Sequence, residues 1–229
     1  MVKKIAIIVT SAAELMGHPT GFWVEELACP YYLFKEAGYE IVIASPAGGP
    51  CPIDKNSMAE GFFTEHCKTF MHDGEAVGML SHSTKVADLD LSTIDALYMV
   101  GGHGTCIDFV NNAAMKNAIE TIFASADKVV AADCHGPICL ADCVKPDGTP
   151  LVAGKRVTGF ANSEEDAVQL TAIVPFLIET RFVEQGALYE KGGDWQSKVC
   201  VDGNLVTGQN PQSSEECAKA VIKLLNATA

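Results

Sequence analysis

Short apolar runs separated by longer amphipathic stretches organise this chain. Residues 4–10, 39–45, 95–100 and 128–133 are dominated by Ile, Val, Ala, Leu and Met. Their near-continuous apolarity is the mark of strands buried on both faces. Between them the period lengthens to that of helices, over 20–37, where Gly38 stops the pattern, and over about 112–126. Strand and helix in turn predict a mostly parallel sheet with helices on both faces. Residues 50–90 break the rhythm with Pro, Gly, His and charge in irregular order, and read as an excursion on the sheet's periphery. Residues 145–153 read the same way. Further on, 156–160, 187–190 and 198–207 are strand-like, and a helix begins near Glu164. A closing helix opens on the capping box Ser213…Glu216 and carries a stripe at 217, 220, 221, 224 and 225. With no internal repeat and no linker composition, residues 1–229 are expected to form one domain.

Composition narrows the class. The nine cysteines at 29, 51, 67, 106, 134, 139, 143, 200 and 217 are scattered, odd in number and free of CxxC spacing. They predict a reduced, cytoplasmic protein. A net charge of −13 repels a phosphate backbone, so nucleic acid is not an expected partner. No stretch approaches the roughly 20 apolar residues of a membrane helix. The run Ile5–Val9 after Lys3-Lys4 is too short for a signal peptide and reads as a first strand.

One run carries chemistry. Val129-Val130-Ala131-Ala132-Asp133-Cys134-His135-Gly136-Pro137 is a strand ending at a cysteine, then at once His, Gly and Pro. A strand that breaks sharply into a helix holds the side chain at the turn out over the sheet edge, and small neighbours make the turn sterically possible. Pro137 suits a first helical turn, where a missing N–H costs nothing. Cys134 is therefore the candidate nucleophile. Of six histidines, at 18, 66, 72, 82, 103 and 135, none follows residue 135. That absence disfavours the hydrolase and amidotransferase orders, which place the histidine well after the nucleophile. The local candidate for the base is His135, its ring folding back beside the thiol with a carboxylate holding it.

With Gly101-Gly102-His103-Gly104-Thr105 upstream and Gly21-Phe22-Trp23-Val24-Glu25-Glu26-Leu27 near the start, the elbow resembles the ThiJ/PfpI superfamily. It is most similar to the branch of heat-shock chaperones that are also glutathione-independent glyoxalases. The resemblance extends through residues 150–160 and through Leu205-Val206-Thr207-Gly208-Gln209-Asn210-Pro211. It implies a flavodoxin-like α/β sandwich, a homodimer, Cys134 as nucleophile and His135 as base. Counting from Thr158-Gly159-Phe160 puts the orienting acid at Glu165, between Glu164 and Asp166. The second acid falls on Glu26, and the backbone N–H groups of Gly102 and His135 fall at the oxyanion site.

Glu26 stands out on its own pattern as well. On a helix it shares a stripe with Trp23, Pro30, Leu33 and Ala37, whereas Glu25 shares the solvated side with Glu36. A desolvated carboxyl favours its protonated form and can donate to a thiolate. Such a bond would lower the Cys134 pKa from about 8.5 into the reactive range of roughly 3.5–7.5. Asp133 would act oppositely if it turned toward the thiol, but strand alternation points it to the other face.

The remaining candidates have plainer readings. Cys139 and Cys143 read as core, as does Cys106 beside the Gly-rich loop. His66, His72 and His82, with Cys67 and Asp73, lack zinc-finger spacing and read as a polar surface segment, so no metal is assigned. Gly101–Gly104 lacks GxGxxG spacing and a Walker lysine, and no cofactor is expected. The resemblance implies conversion of methylglyoxal or glyoxal and water to lactate or glycolate through a Cys134 hemithioacetal. The alternatives are a holdase chaperone binding unfolded proteins, a cysteine peptidase or amidase, a protein deglycase, and a redox sensor oxidised at Cys134.

Overall fold

The computed structural model describes residues 2–227. Seven strands form one sheet: β1 (Lys4–Ile8), β2 (Glu40–Ser45), β3 (Thr84–Lys85), β4 (Ala96–Met99), β5 (Val129–Ala132), β6 (Val199–Asp202) and β7 (Leu205–Gly208). Their spatial order is β6-β7-β5-β4-β1-β2-β3. All neighbours run parallel except β6, which pairs antiparallel with β7. The helices are α1 (Val24–Glu36), α2 (Glu65–His72), α3 (Gly74–Ser81), α4 (Thr105–Asp108), α5 (Ala113–Phe123), α6 (Asn162–Ala167), α7 (Ile178–Glu184) and α8 (Ser214–Ala227).

Alternation along the strands divides the core in two. From β1, Ile5 and Ile7 join Leu27, Phe34 and Val221 on the face of α1 and α8, while Ala6 and Ile8 join Ile119 and Ile122 on the face of α5. Every residue of β4 and β5 is buried, as continuous apolar runs require. The mostly parallel sheet with helices on both faces is the flavodoxin-like architecture expected of the sequence. Gly38, at φ +80°, ends α1, and the amides of residues 37–39 bond back to Leu33, Lys35 and Phe34.

Several local expectations fail for identifiable reasons. Residues 20–23 are not helical: Phe22 pairs with Pro52 and Asp54, so the chain enters α1 extended. The excursion at 50–90 folds into α2, α3 and the edge strand β3. Residues 156–160 contribute only Arg156–Val157, paired with Leu188–Tyr189 in a separate two-stranded sheet. The turn after Cys134 is a 3-10 stretch, Gly136–Asp142, in which Cys139 and Cys143 are buried as expected. Glu25 is not on a solvated side, because α2 covers it: the Thr64 hydroxyl and the Cys67 thiol both donate to its carboxylate. Among the described residues, no helix is long and apolar enough to cross a membrane.

Candidate active site

The carboxyl ends of β4, β5 and β7 converge on Cys134. Its N–H bonds Gly208 O at 3.1 Å, its carbonyl accepts from Phe160 N at 2.9 Å, and Gly136 N closes the turn on Asp133 O at 2.7 Å. These bonds hold Cys134 at φ +55°, a conformation most side chains avoid. The strain is local and over-determined by its surroundings, as at other nucleophile elbows.

That backbone folds His135 over its own neighbour. Nδ1 lies 3.4 Å from Cys134 Sγ, and Nε2 lies 2.7 Å from Glu165 Oε2. An Nε2–H donating to Glu165 leaves Nδ1 free to accept the thiol proton. Glu165 is the one member of its acidic trio that faces this ring. Glu164 is spent on Ala161 N, Trp195 N and Asn210 Nδ2, and Asp166 accepts from the Thr171 hydroxyl. On the far side of Cys134, Glu26 is fully buried, accepts Gly101 N–H at 2.7 Å and stands beside the thiol. Among the described residues the amides of Gly102 and His135 make no hydrogen bond to the protein, which leaves them open to a ligand oxygen.

His103 was not singled out by the sequence, yet its Nε2 lies 2.8 Å from Glu165 Oε1 and its ring centroid 3.9 Å from that of His135. Its place in the Gly101–Gly104 loop was the available signal. Ligand-type atoms of His103, His135 and Glu165 cluster closely. Both Nε2 atoms are already committed to the two Glu165 oxygens, so the cluster is a hydrogen-bonded triad. Glu25, Cys29 and His66 form a second cluster in which Glu25 is likewise taken by Thr64 and Cys67. The structure does not bring His66, His72 and His82 together: His72 and His82 each turn Nδ1 back on their own helix, to Lys68 O and Gly78 O. Asp73 caps α3 instead.

Electrostatics sort these groups by role. Burial raises Glu26 well above the ordinary carboxylate range, and the Asp133 charge adds to it, which favours the protonated form of Glu26. Burial and then His103 lower His135, outweighing Glu165, so its resting imidazole is neutral. Burial opposes ionisation of Glu165, yet His135 and His103 together hold it far below the ordinary value. Cys134 departs from the expected lowering. Burial, then Glu26 and Asp133, raise its thiol well above the ordinary range. Cys134 therefore rests as a thiol beside a neutral imidazole, an arrangement in which ionising the thiol requires a proton acceptor such as His135.

Cys134 and His135, with Gly102 and His103, line a cavity of about 650 Å³. Trp23, Phe62, Phe160 and Trp195 supply aromatic walls, and Thr20, Asp54 and Lys55 the polar rim. Trp23 thus serves the cavity as well as helix packing. Cys106 is buried in the α5-side core and does not line it.

The comparisons converge on one family. The model of the DJ-1/PfpI family matches residues 4–224. Glyoxalase 3 of Candida albicans is 33% identical over 230 residues, covering 96% of this chain and 97% of that protein. Glutathione-independent glyoxalase HSP31 of Saccharomyces cerevisiae is 28% identical, covering 97% and 98%. Among solved structures, the Rapid Encystment Protein 24 KDa of Francisella tularensis superposes with a TM-score of 0.93 at 37% identity, covering 98% and 99%. Glyoxalase III from Candida albicans superposes with a TM-score of 0.89 at 31% identity, covering 97% of each chain.

Proposed function

The chain belongs to the DJ-1/PfpI family, and from that premise we propose that it is a glutathione-independent glyoxalase, converting methylglyoxal or glyoxal and water to lactate or glycolate. The observation that carries this reading is the convergence of a thiol and a neutral imidazole at the floor of one cavity, with the Glu26 carboxyl buried beside the thiol. The names of relatives matched over nearly their whole length support it.

In this reading Cys134 Sγ attacks the aldehyde carbon as its proton passes to His135 Nδ1, which gives a hemithioacetal. The amides of Gly102 and His135 receive the developing oxyanion. Removal of the proton from the former aldehyde carbon yields an enediol, and its return to the adjacent carbon yields a thioester; Glu26 and His135 carry the proton between these positions. Water then hydrolyses the thioester, releasing the hydroxy acid and restoring the thiol. Glu165 orients His135 and stabilises the imidazolium. The same reading has the protein act as a homodimer, as the family resemblance implies, and in a reducing cytoplasm, for which nine unpaired cysteines are the supporting observation.

Turnover of methylglyoxal in deuterated water tests the proton shuttle. An enediol exchanges its proton with His135 and Glu26, so deuterium is expected at the carbinol carbon of lactate. Lactate with no deuterium there would mean a hydride shift or a single-base transfer closed to solvent, and would overturn the passage of the proton between Glu26 and His135.

A further inference from the structure

Asp133 is the member of the elbow that the proposed reaction leaves unused. Its side chain points to the α1 and α8 face, where Tyr98 from β4 donates its hydroxyl to Oδ2 at 2.9 Å. Glu26 approaches from α1, and the Ser214 hydroxyl and Cys217 thiol approach from α8. Cys29, one turn along α1, also feels the Asp133 charge. Cys134 is its chain neighbour. No lysine, arginine or histidine forms an ion pair with Asp133 or Glu26 among the described residues. Both carboxyls are fully buried.

Counting donors exposes the problem this packing creates. Gly101 N–H satisfies Glu26 Oε2, and Tyr98 satisfies Asp133 Oδ2. Glu26 Oε1 and Asp133 Oδ1 remain, each buried and with no donor among the described residues. The two carboxyls stand within hydrogen-bond reach of each other. Two carboxylates cannot bond, because each only accepts, whereas a single proton between them satisfies both groups and halves the buried charge.

We propose that Asp133 and Glu26 share one proton as a buried carboxyl pair beneath Cys134, and that Asp133, through Glu26, sets the pH at which the thiol ionises. Asp133 is thus a positioning residue for the proton that the proposed glyoxalase chemistry assigns to Glu26. While the pair holds one proton, its remaining negative charge opposes the thiolate. When it takes a second, that charge vanishes and Glu26 can turn its proton to the sulfur. Thiol ionisation and pair protonation are therefore coupled. Burial pushes Asp133 up to about 7, against the hydrogen bond from Tyr98 and the nearby Ser214 hydroxyl and Glu26 carboxyl, which puts the coupling in the neutral range.

The test is the pH dependence of Cys134 alkylation by iodoacetamide, followed by mass spectrometry of the Cys134 peptide in the folded protein. No dicarbonyl is involved, so the outcome stands whether or not the glyoxalase reading does; absent turnover with a coupled profile would overturn that reading alone. The wild type is expected to show two steps, one of them near neutrality. Asp133→Asn should leave one step, with its midpoint lower by about one pH unit or more, a tenfold change in rate below the midpoint. Tyr98→Phe removes a bond that holds Asp133 down and should move the neutral step to higher pH. An Asp133→Asn profile that superposes on the wild type would overturn the proposal. If that variant does not fold, an unmoved neutral step in Tyr98→Phe would do so.

Discussion

Cys134 and His135 are neighbours in the chain and still meet through their side chains, Sγ to Nδ1, at 3.4 Å. Adjacent residues of a strand point to opposite faces, and those of a helix diverge. The meeting depends on φ +55° at Cys134 followed by helical angles, φ −87° and ψ −11°, at His135. The proposed nucleophile and base are thus brought together by one backbone turn, which the bonds of Cys134 to Gly208 and Phe160 hold in place.

Glu165 and His103 act on His135 in opposite directions. Glu165→Gln keeps an acceptor for Nε2 but removes the charge that stabilises the imidazolium, so kcat should fall by about 10²–10⁴ with the fold retained. His103→Ala removes a group that lowers the His135 pKa. The acid limb of kcat/KM, which reports the neutral base, should then move to higher pH. Full pH–rate profiles check both; an unmoved acid limb in His103→Ala would contradict the assigned direction.

Gly102 is held at φ +103°, and a Cβ there would stand 2.4 Å from Gly21 O and 2.8 Å from Phe22 Cα. The loop that offers the Gly102 amide is pressed against the entry to α1, which also delivers Glu26. Gly102→Ala should destabilise the protein by about 2–3 kcal/mol, from backbone strain and the displaced contact. At this chain length that is a drop in Tm of about 5–10 °C. Thermal denaturation measures it.

Asp133 also makes stability depend on pH. The folded state keeps its proton up to about 7, whereas the unfolded chain releases it near 3.9. Between these values the folded state binds the extra proton, so this carboxyl's contribution to stability declines as pH rises from about 4 to about 7, and is constant above. The Tm of Asp133→Asn minus that of the wild type should therefore grow across this window and then level off. A difference that is flat with pH would contradict the assignment.

What the sequence disclosed follows from where physics writes it plainly. The strands were legible because burial on both faces demands continuous apolar runs such as residues 96–99 and 129–132. The end of α1 was legible from Gly38, and Glu26 from its place on an apolar stripe. Relations set by packing between distant segments were not. Nothing local says that α2 will cover Glu25, or that His103, 62 residues before Glu165, will take its second oxygen. Alternation correctly sent Asp133 away from the thiol, but the carboxyl acts on it through Glu26, a residue more than a hundred positions away. The raised Cys134 pKa follows first from burial and then from Glu26, neither of which is visible in the elbow motif.

The cavity of about 650 Å³ with aromatic walls exceeds what a three-carbon dicarbonyl fills. Phenylglyoxal should therefore be accepted, its ring against Trp23, Phe62 and Trp195, with kcat/KM within about tenfold of that for methylglyoxal, since apolar burial offsets the added bulk. Steady-state kinetics with both substrates decide it. Exclusion of phenylglyoxal would mean that the cavity closes down around the reacting carbons.

The most direct test of the account is lactate formation from methylglyoxal, in the absence of glutathione, by the purified wild type, Cys134→Ala and Glu26→Gln. The account predicts turnover by the wild type, loss of at least about 10³-fold in Cys134→Ala, and loss of about 10²-fold or more in Glu26→Gln. A folded, reduced wild type that forms no lactate, or a Cys134→Ala variant that forms it undiminished, would contradict the central claim.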